Sequence, residues 1–198
     1  GVEAQYDYWN MMLSEIGDKI DGVIICLPHH LHAPVILDVV KAGKNLLCEK
    51  PMCINMDEAA KIVKAVQDSG VIYMSAHNQL FMESVQEAKR RIDDGEIGQV
   101  YWIRSQDCFT AGGGTVNPFK GTWRSNLKSQ GGGELIDTGY HPTYRLLYLA
   151  GADVVGVRGT MGRYLQAIEG EDTASVQVRF ANGVIGEILT SLALDLPY

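Results

Sequence analysis

Two groups of residues in this sequence have the types and spacing for proton and charge chemistry. The first is Glu49-Lys50-Pro51, which follows the apolar run Leu46 to Cys48. If that run is a parallel strand, Lys50 sits at its carboxyl end, where ligands of open α/β sheets bind. The X-Pro bond after it can be cis, which would aim the lysine sharply; a solvated charged turn is the plainer reading. Pro28-His29-His30-Leu31-His32 follows the preceding apolar run at the same edge. Histidines this close raise a metal site, but the carboxylates and thiolates that usually complete one are missing nearby. Pro28, His29 and His32 therefore read as a cofactor-facing loop with a helix start, and no metal is expected.

The second group is Gly131-Gly132-Gly133-Glu134-Leu135-Ile136-Asp137-Thr138-Gly139-Tyr140-His141. Asp137 and His141 are spaced i,i+4, so on a helix they share a face and can hydrogen-bond. A carboxylate beside an imidazole raises its basicity, which suits a general base near neutral pH. An exposed i,i+4 pair is the alternative. The glycines would admit another backbone or a ligand to the helix start. Pro142 removes the bond to the Thr138 carbonyl and disturbs the helix there. Asn78, Trp123 and Arg124 are further ligand candidates, although Trp123 also reads as core and Arg124 as a surface charge.

These residues need elements to position them. Residues 4–16 look helical, with Tyr8, Met11, Met12 and Ile16 on one side. Val23 to Leu27 is a continuous apolar run of the kind buried on both faces of a sheet. Pro34 suits a first helical position, and Val35, Ile36, Val39 and Val40 form a stripe that ends at Gly43. Asn55 and Glu58 make a capping-box-like start for a helix with Ala59, Ile62, Val63 and Val66 inside. Val71 to Ala76 is a third apolar run. Strand and helix alternating at this spacing predict half of a doubly wound parallel sheet. After His77 the pattern changes to a helix over about 81–93 and an alternating strand from Val100 to Phe109. A Gly-rich loop and a helix from Gly133 to Leu149 follow. Strands are expected near 153–164, 172–180 and 184–193, the last two joined by an Ala181-Asn182-Gly183 hairpin. The expected fold is α/β. The C-terminal half of a Rossmann sheet (residues 1–77) precedes part of an α+β domain with a mostly antiparallel sheet (78–198).

Composition narrows the function. A net charge of -7 argues against a phosphate-tracking surface, so no nucleic-acid partner is expected. No run approaches the length of a membrane span, and the first residues lack the apolar core of a signal peptide. The four cysteines form no C-x-x-C pair, which fits reduced thiols and a cytoplasmic location. A small molecule or a second copy of the chain is the expected partner.

Taken in order, these segments resemble the glucose–fructose oxidoreductase, inositol dehydrogenase and rhizopine-catabolism (Gfo/Idh/MocA) family of NAD(P)-dependent oxidoreductases. Asp21 to His32 looks like the family's strand and cofactor loop, and Lys41-Ala42-Gly43-Lys44-Asn45-Leu46-Leu47-Cys48-Glu49-Lys50-Pro51 like its signature. Asn78 to Phe81, Gly95-Glu96-Ile97-Gly98 and Gly131 to His141 fall in the family's order. The resemblance implies that Glu49, Lys50 and Pro51 border the nicotinamide of NAD or NADP, with Lys50 on the reacting hydroxyl. It also implies that His141 takes the hydroxyl proton and that Asp137 orients His141 or holds a neighbouring hydroxyl. The implied substrate is a sugar, inositol or similar polyol, and the implied assembly a homo-oligomer through the second domain's sheet.

The sequence also departs from the family pattern. Leu80 replaces the arginine of Asn-x-Arg-Phe, and Tyr144 stands where an acidic residue often follows the histidine. No G-x-G-x-x-G occurs, so the chain reads as an internal segment lacking both ends, the glycine fingerprint included. An NAD-using glycosidase and a non-catalytic sugar-binding or assembly module are the competing functions.

Overall fold

Apolar runs alternating with helical stripes build a parallel sheet first and a mixed sheet second. The computed structural model describes residue 2 and residues 4–111 and 118–196. The Gly-rich loop expected after Phe109 falls largely outside them. Residues 1–76 and 77–198 form two compact units.

In the first unit α1 (Trp9–Ile16) leads to β1 (Gly22–Ile25), α2 (His29–Lys41), β2 (Asn45–Cys48), α3 (Met56–Ser69) and β3 (Tyr73–Ser75). The strands are parallel in the order β1-β2-β3, with Ile25 opposite Cys48 and Cys48 opposite Ser75. The α2 stripe Val35, Ile36, Val39 and Val40 is buried with Ile25, Leu46, Cys48 and Ile62 in one core. Each such side chain contributes about 1.5–3 kcal/mol when fully buried. The expected capping box opens α3. Asn55 Oδ1 accepts the Glu58 N–H at 2.8 Å, and Glu58 Oε2 accepts the Ile54 N–H at 3.1 Å. Gly70, at φ 72°, closes the helix in the left-handed region.

Several expectations for this unit are corrected. The helix expected from residue 4 begins at Trp9, because Tyr8 is extended (φ −135°, ψ 137°). Among the described strands β1 lies at a sheet edge, and Ile24 is 72% exposed, so β1 is not buried on both faces. Pro34 lies inside α2 rather than at its start; Pro28 is the N-cap, and Pro34 is exposed. Val63 is also exposed, since it sits about 100° around the helix from Ile62.

The second unit opens with a 3-10 turn (Asn78–Phe81) and α4 (Glu83–Asp93). Then come β4 (Trp102–Cys108), a 3-10 turn (Trp123–Ser125), α5 (Leu127–Gln130), α6 (Tyr140–Ala150), β5 (Val154–Gly162), β6 (Thr173–Phe180) and β7 (Ile185–Ser191). The sheet order is β4-β7-β6-β5, antiparallel except for the β4–β7 pair. Leu146 of α6 packs with Val176, Val178, Phe180 and Ile188. A Cβ on Gly186 would fall 2.7 Å from a Leu146 methyl, so glycine allows the helix this close to the sheet. The expected hairpin forms, with Gly183 at φ 86° and Phe180 N–H bonded to the Val184 carbonyl at 3.0 Å.

The helix expected from Gly133 starts only at Tyr140; residues 131–139 are bends and turns. Gly133 O accepts the Asp137 N–H at 3.3 Å, and Glu134 O accepts the Gly139 N–H at 2.9 Å. These unequal spans do not propagate a helix. Pro142 has no N–H to offer, and the Thr138 carbonyl accepts from His141 N–H at 2.9 Å instead. Pro142 thus lies in the first turn of α6, where a missing donor costs little.

Candidate active site

In the first unit the candidate residues sit where strands end. Glu49 N–H donates to Ile25 O at 2.9 Å, carrying the ladder one step past β2. Glu49 then turns its Oε2 back to accept the Lys50 N–H at 3.1 Å. The Lys50–Pro51 bond is cis, and Lys50 is half-buried. Pro28 caps α2 and accepts the Leu31 N–H at 2.9 Å.

His29 and His32 are both buried, with ring centroids 6.0 Å apart. Reading His32 as a cofactor contact is corrected by its surroundings. The ring is 0% exposed, with Nδ1 2.6 Å from Pro51 O and Nε2 2.8 Å from Leu27 O. It clasps the segment after β1 to the segment after β2, and so fixes the backbone beside Lys50. Burial, with Glu49, Cys26 and Cys53 nearby, pushes the Cys48 thiol up to about 12, so it is no thiolate nucleophile at neutral pH.

In the second unit the glycine run admits a backbone. A Cβ on Gly133 would lie 2.1 Å from Glu171 O, and one on Gly170 would lie 2.6 Å from Gly133 Cα. Glu134 N–H and Leu135 N–H donate to Glu171, at 2.7 Å to its carbonyl and 3.1 Å to Oε1. Beneath them the fully buried Glu134 accepts the Thr190 hydroxyl at 2.6 Å. This packing holds the turn that presents Asp137.

Asp137 is 6% exposed. Its Oδ2 accepts Arg124 Nε–H at 2.8 Å and Gln130 Nε2 at 3.3 Å. The Arg124 guanidinium lies 4.2 Å from the centre of the Trp123 ring, which places the cation over an aromatic face. Trp123 and Arg124 are thus brought to Asp137. Because residues 133–139 are not helical, the shared helix face proposed for Asp137 and His141 does not exist.

His141 lies in the first turn of α6, with Nδ1 2.7 Å from the Tyr144 hydroxyl. That hydroxyl donates to Asn78 Oδ1 at 3.3 Å and accepts the Gln79 N–H at 3.2 Å. Asn78 therefore belongs to the His141 cluster. His77 stacks on the Tyr144 ring at 4.5 Å, and burial lowers its basicity. Sequence reasoning missed Gln130 and treated Tyr144 only as a departure. The i,i+3 spacing of His141 and Tyr144 was a usable helical signal; Gln130 offered none.

Among the described residues no group of three or more His, Cys, Asp or Glu is arranged to hold a metal ion. No described helix is long and apolar enough to cross a membrane. An apolar cleft of about 550 Å³ lies in this unit, lined by residues including Leu135, Tyr140, Leu147, Val157 and Met161. Neither Asp137 nor His141 lines it.

Residues 1–77 match the model of an oxidoreductase family with an NAD-binding Rossmann fold, and residues 85–198 match the GFO/IDH/MocA C-terminal domain. Levoglucosan dehydrogenase of Pseudarthrobacter phenanthrenivorans is 28% identical over 95% of this chain and 53% of its own length. D-xylose 1-dehydrogenase (NADP(+)) of Haloarcula marismortui is 30% identical over 91% of this chain and 46% of its own. The solved structure of levoglucosan dehydrogenase with NADH and levoglucosan superposes with a TM-score of 0.88 at 26% identity, covering 98% of this chain and 53% of that one. The chain spans about half the length of these relatives.

Proposed function

Since the chain belongs to the Gfo/Idh/MocA oxidoreductase family, we propose that it carries the proton-handling residues of an NAD- or NADP-dependent dehydrogenase of sugars or polyols. The observation that carries this reading is the pair of rigidly held presentations. Lys50 sits at a clasped strand end, and His141 is held by a hydroxyl in the first turn of α6. The residues present suit the nicotinamide end of a dinucleotide: strand-end backbone, one ammonium and buried, hydrogen-bonded supports. When bound, the nicotinamide supplies the hydride acceptor. His141 takes the hydroxyl proton as the carbinol C–H and O–H bonds break and the C=O bond forms. The Lys50 ammonium stabilises the developing alkoxide. Asp137 holds Arg124 and Gln130 in place, and its carboxylate supplies an acceptor for a neighbouring substrate hydroxyl.

Relatives named for a sugar support the substrate class, and they differ between NADH and NADP(+). Cytoplasmic location fits the free thiols. A homo-oligomer through the outer sheet face fits the exposure of Trp102 (62%) and Ile185 (48%), which pair across β4 and β7.

The test is steady-state formation of reduced cofactor with a panel of sugars and polyols. Lys50→Ala and His141→Ala, made separately, are each expected to lower kcat at least about 100-fold. Near-normal kcat in either variant removes that residue from the chemistry. Turnover of a glycoside without net reduced cofactor would replace the dehydrogenase reading with a hydrolytic one.

A further inference from the structure

A buried hydroxyl placed between a fixed donor and a fixed acceptor carries information about its proton, and Tyr144 is such a group. It is 6% exposed, so its hydroxyl depends on protein partners. A phenol has one proton to give and two lone pairs to receive. The Gln79 backbone N–H, at 3.2 Å, can only donate and takes one lone pair. Asn78 Oδ1, at 3.3 Å, can only accept and takes the proton. The third contact is the shortest, 2.7 Å to His141 Nδ1; with the phenolic proton on Asn78 Oδ1, an N–H on Nδ1 makes this close contact attractive rather than repulsive.

We propose that Tyr144 is a positioning residue that holds His141 in the Nδ1–H tautomer and so places the basic lone pair on Nε2. This rests on the reading of His141 as the proton acceptor and adds how its acceptor nitrogen is chosen. The surroundings support it. The rings of His77 (4.5 Å) and Tyr140 (5.9 Å) flank Tyr144 and hold its ring in place. Partial burial lowers the basicity of His77, which disfavours a second cation beside the cluster. A tyrosine does here, without charge, what a carboxylate does for imidazole elsewhere: it accepts the Nδ1 proton and fixes the ring. Asn78 acts one step further out, by holding the phenolic proton away from Nδ1.

The experiment is ¹H–¹⁵N two-bond correlation spectroscopy of the ¹⁵N-histidine-labelled protein at a pH where the ring is neutral. The His141 signal is assigned by its loss in His141→Asn. The wild type is expected to show the Nδ1–H pattern. Tyr144→Phe keeps the ring packing and removes the hydroxyl, and is expected to shift His141 toward the Nε2–H form that free imidazole side chains prefer. Asn78→Ala, a second variant that leaves the Tyr144 ring intact, is expected to move the tautomer part of the way. An Nε2–H pattern in the wild type overturns the proposal, as does a tautomer unchanged by Tyr144→Phe. In kinetics, Tyr144→Phe is expected to lower kcat about tenfold with KM unchanged, the scale of one lost hydrogen bond; a rise in KM alone points to a purely structural role and overturns it. The tautomer readout needs no turnover. It can therefore fail while His141→Ala still abolishes activity, or succeed while the catalytic reading of His141 fails.

Discussion

The two candidate regions are held in place by different means. Around Lys50 the supports act on the main chain: a parallel register carried past β2, the Pro28 start of α2, and the His32 side chain against two backbone carbonyls. Around Asp137 and His141 the supports are side chains, two from the segment just before Asp137 and two from distant parts of the sequence. Arg124 and Gln130 hold Asp137, Thr190 holds Glu134, and Asn78 holds Tyr144. The first arrangement follows from where strands stop. The second depends on particular side chains meeting, and also on glycines that leave room for a backbone.

That difference predicts where the molecule breaks most easily. The largest effect is expected from Gly133→Ala, whose Cβ would lie 2.1 Å from Glu171 O and 2.4 Å from Glu171 N. Backbone atoms on both sides cannot swing away as a side chain can. The substitution is expected to cost about 3 kcal/mol or more, read as a fall in the urea midpoint. A loss below about 1 kcal/mol would show that the turn presenting Asp137 is looser than the close approach implies.

The matching cut in the first unit is His32→Phe. It keeps a ring in a fully buried position but removes the ring nitrogens that face the Leu27 and Pro51 carbonyls, and with them the hydrogen bond that joins the two segments. The expected cost is about 2 kcal/mol, smaller than for Gly133→Ala because the parallel ladder between β1 and β2 survives. Unchanged stability would mean that the clasp contributes nothing beyond packing.

What was legible in the sequence follows the same division. The parallel strand–helix alternation of the first unit, the α3 capping box, the Gly183 hairpin and the strand-end placement of Lys50 were readable, because periodicity and capping are local signals. The α6 start was misplaced because Pro142 and the Gly133–Glu171 approach redirect the chain, and the second of these is a long-range contact. His32 was misread for a related reason: a histidine after a strand looks available to a ligand until the Pro51 carbonyl is seen against it. The Asn78–Tyr144 link was invisible, since no spacing announces a contact between a turn and a helix far along the chain; Gln130, seven residues before Asp137, was hidden because the irregular 131–139 turn carries no periodicity. Exposed Val63 and interior Pro34 show that stripe and punctuation rules place a helix better than they place each residue on it.

The smallest expected effect, and the one that best separates the two regions, is a change of stability that develops only in acid. Asp172 is fully buried at the start of β6. Burial raises its carboxyl toward protonation, but the N–H groups of Gln166, Leu165 and Tyr164 and the Thr173 hydroxyl favour the anion more, and the net shift is downward. The shortest of these bonds is 2.7 Å, from Leu165 N–H. A carboxylate with a lowered folded pKa contributes stability that is fully present above the unfolded value of about 3.9. That stability is lost as pH falls through the folded value. The gap in unfolding free energy between wild type and Asp172→Asn is therefore expected to hold steady from about pH 7 to 5 and to narrow below about pH 4. The His32 clasp contains no carboxylate, so the gap between wild type and His32→Phe carries no such acid-dependent loss from Asp172. Denaturation of both variants across this range measures the contrast. A gap for Asp172→Asn that stays constant into acid would mean that its carboxylate is not held by the 164–166 turn in the way these hydrogen bonds require.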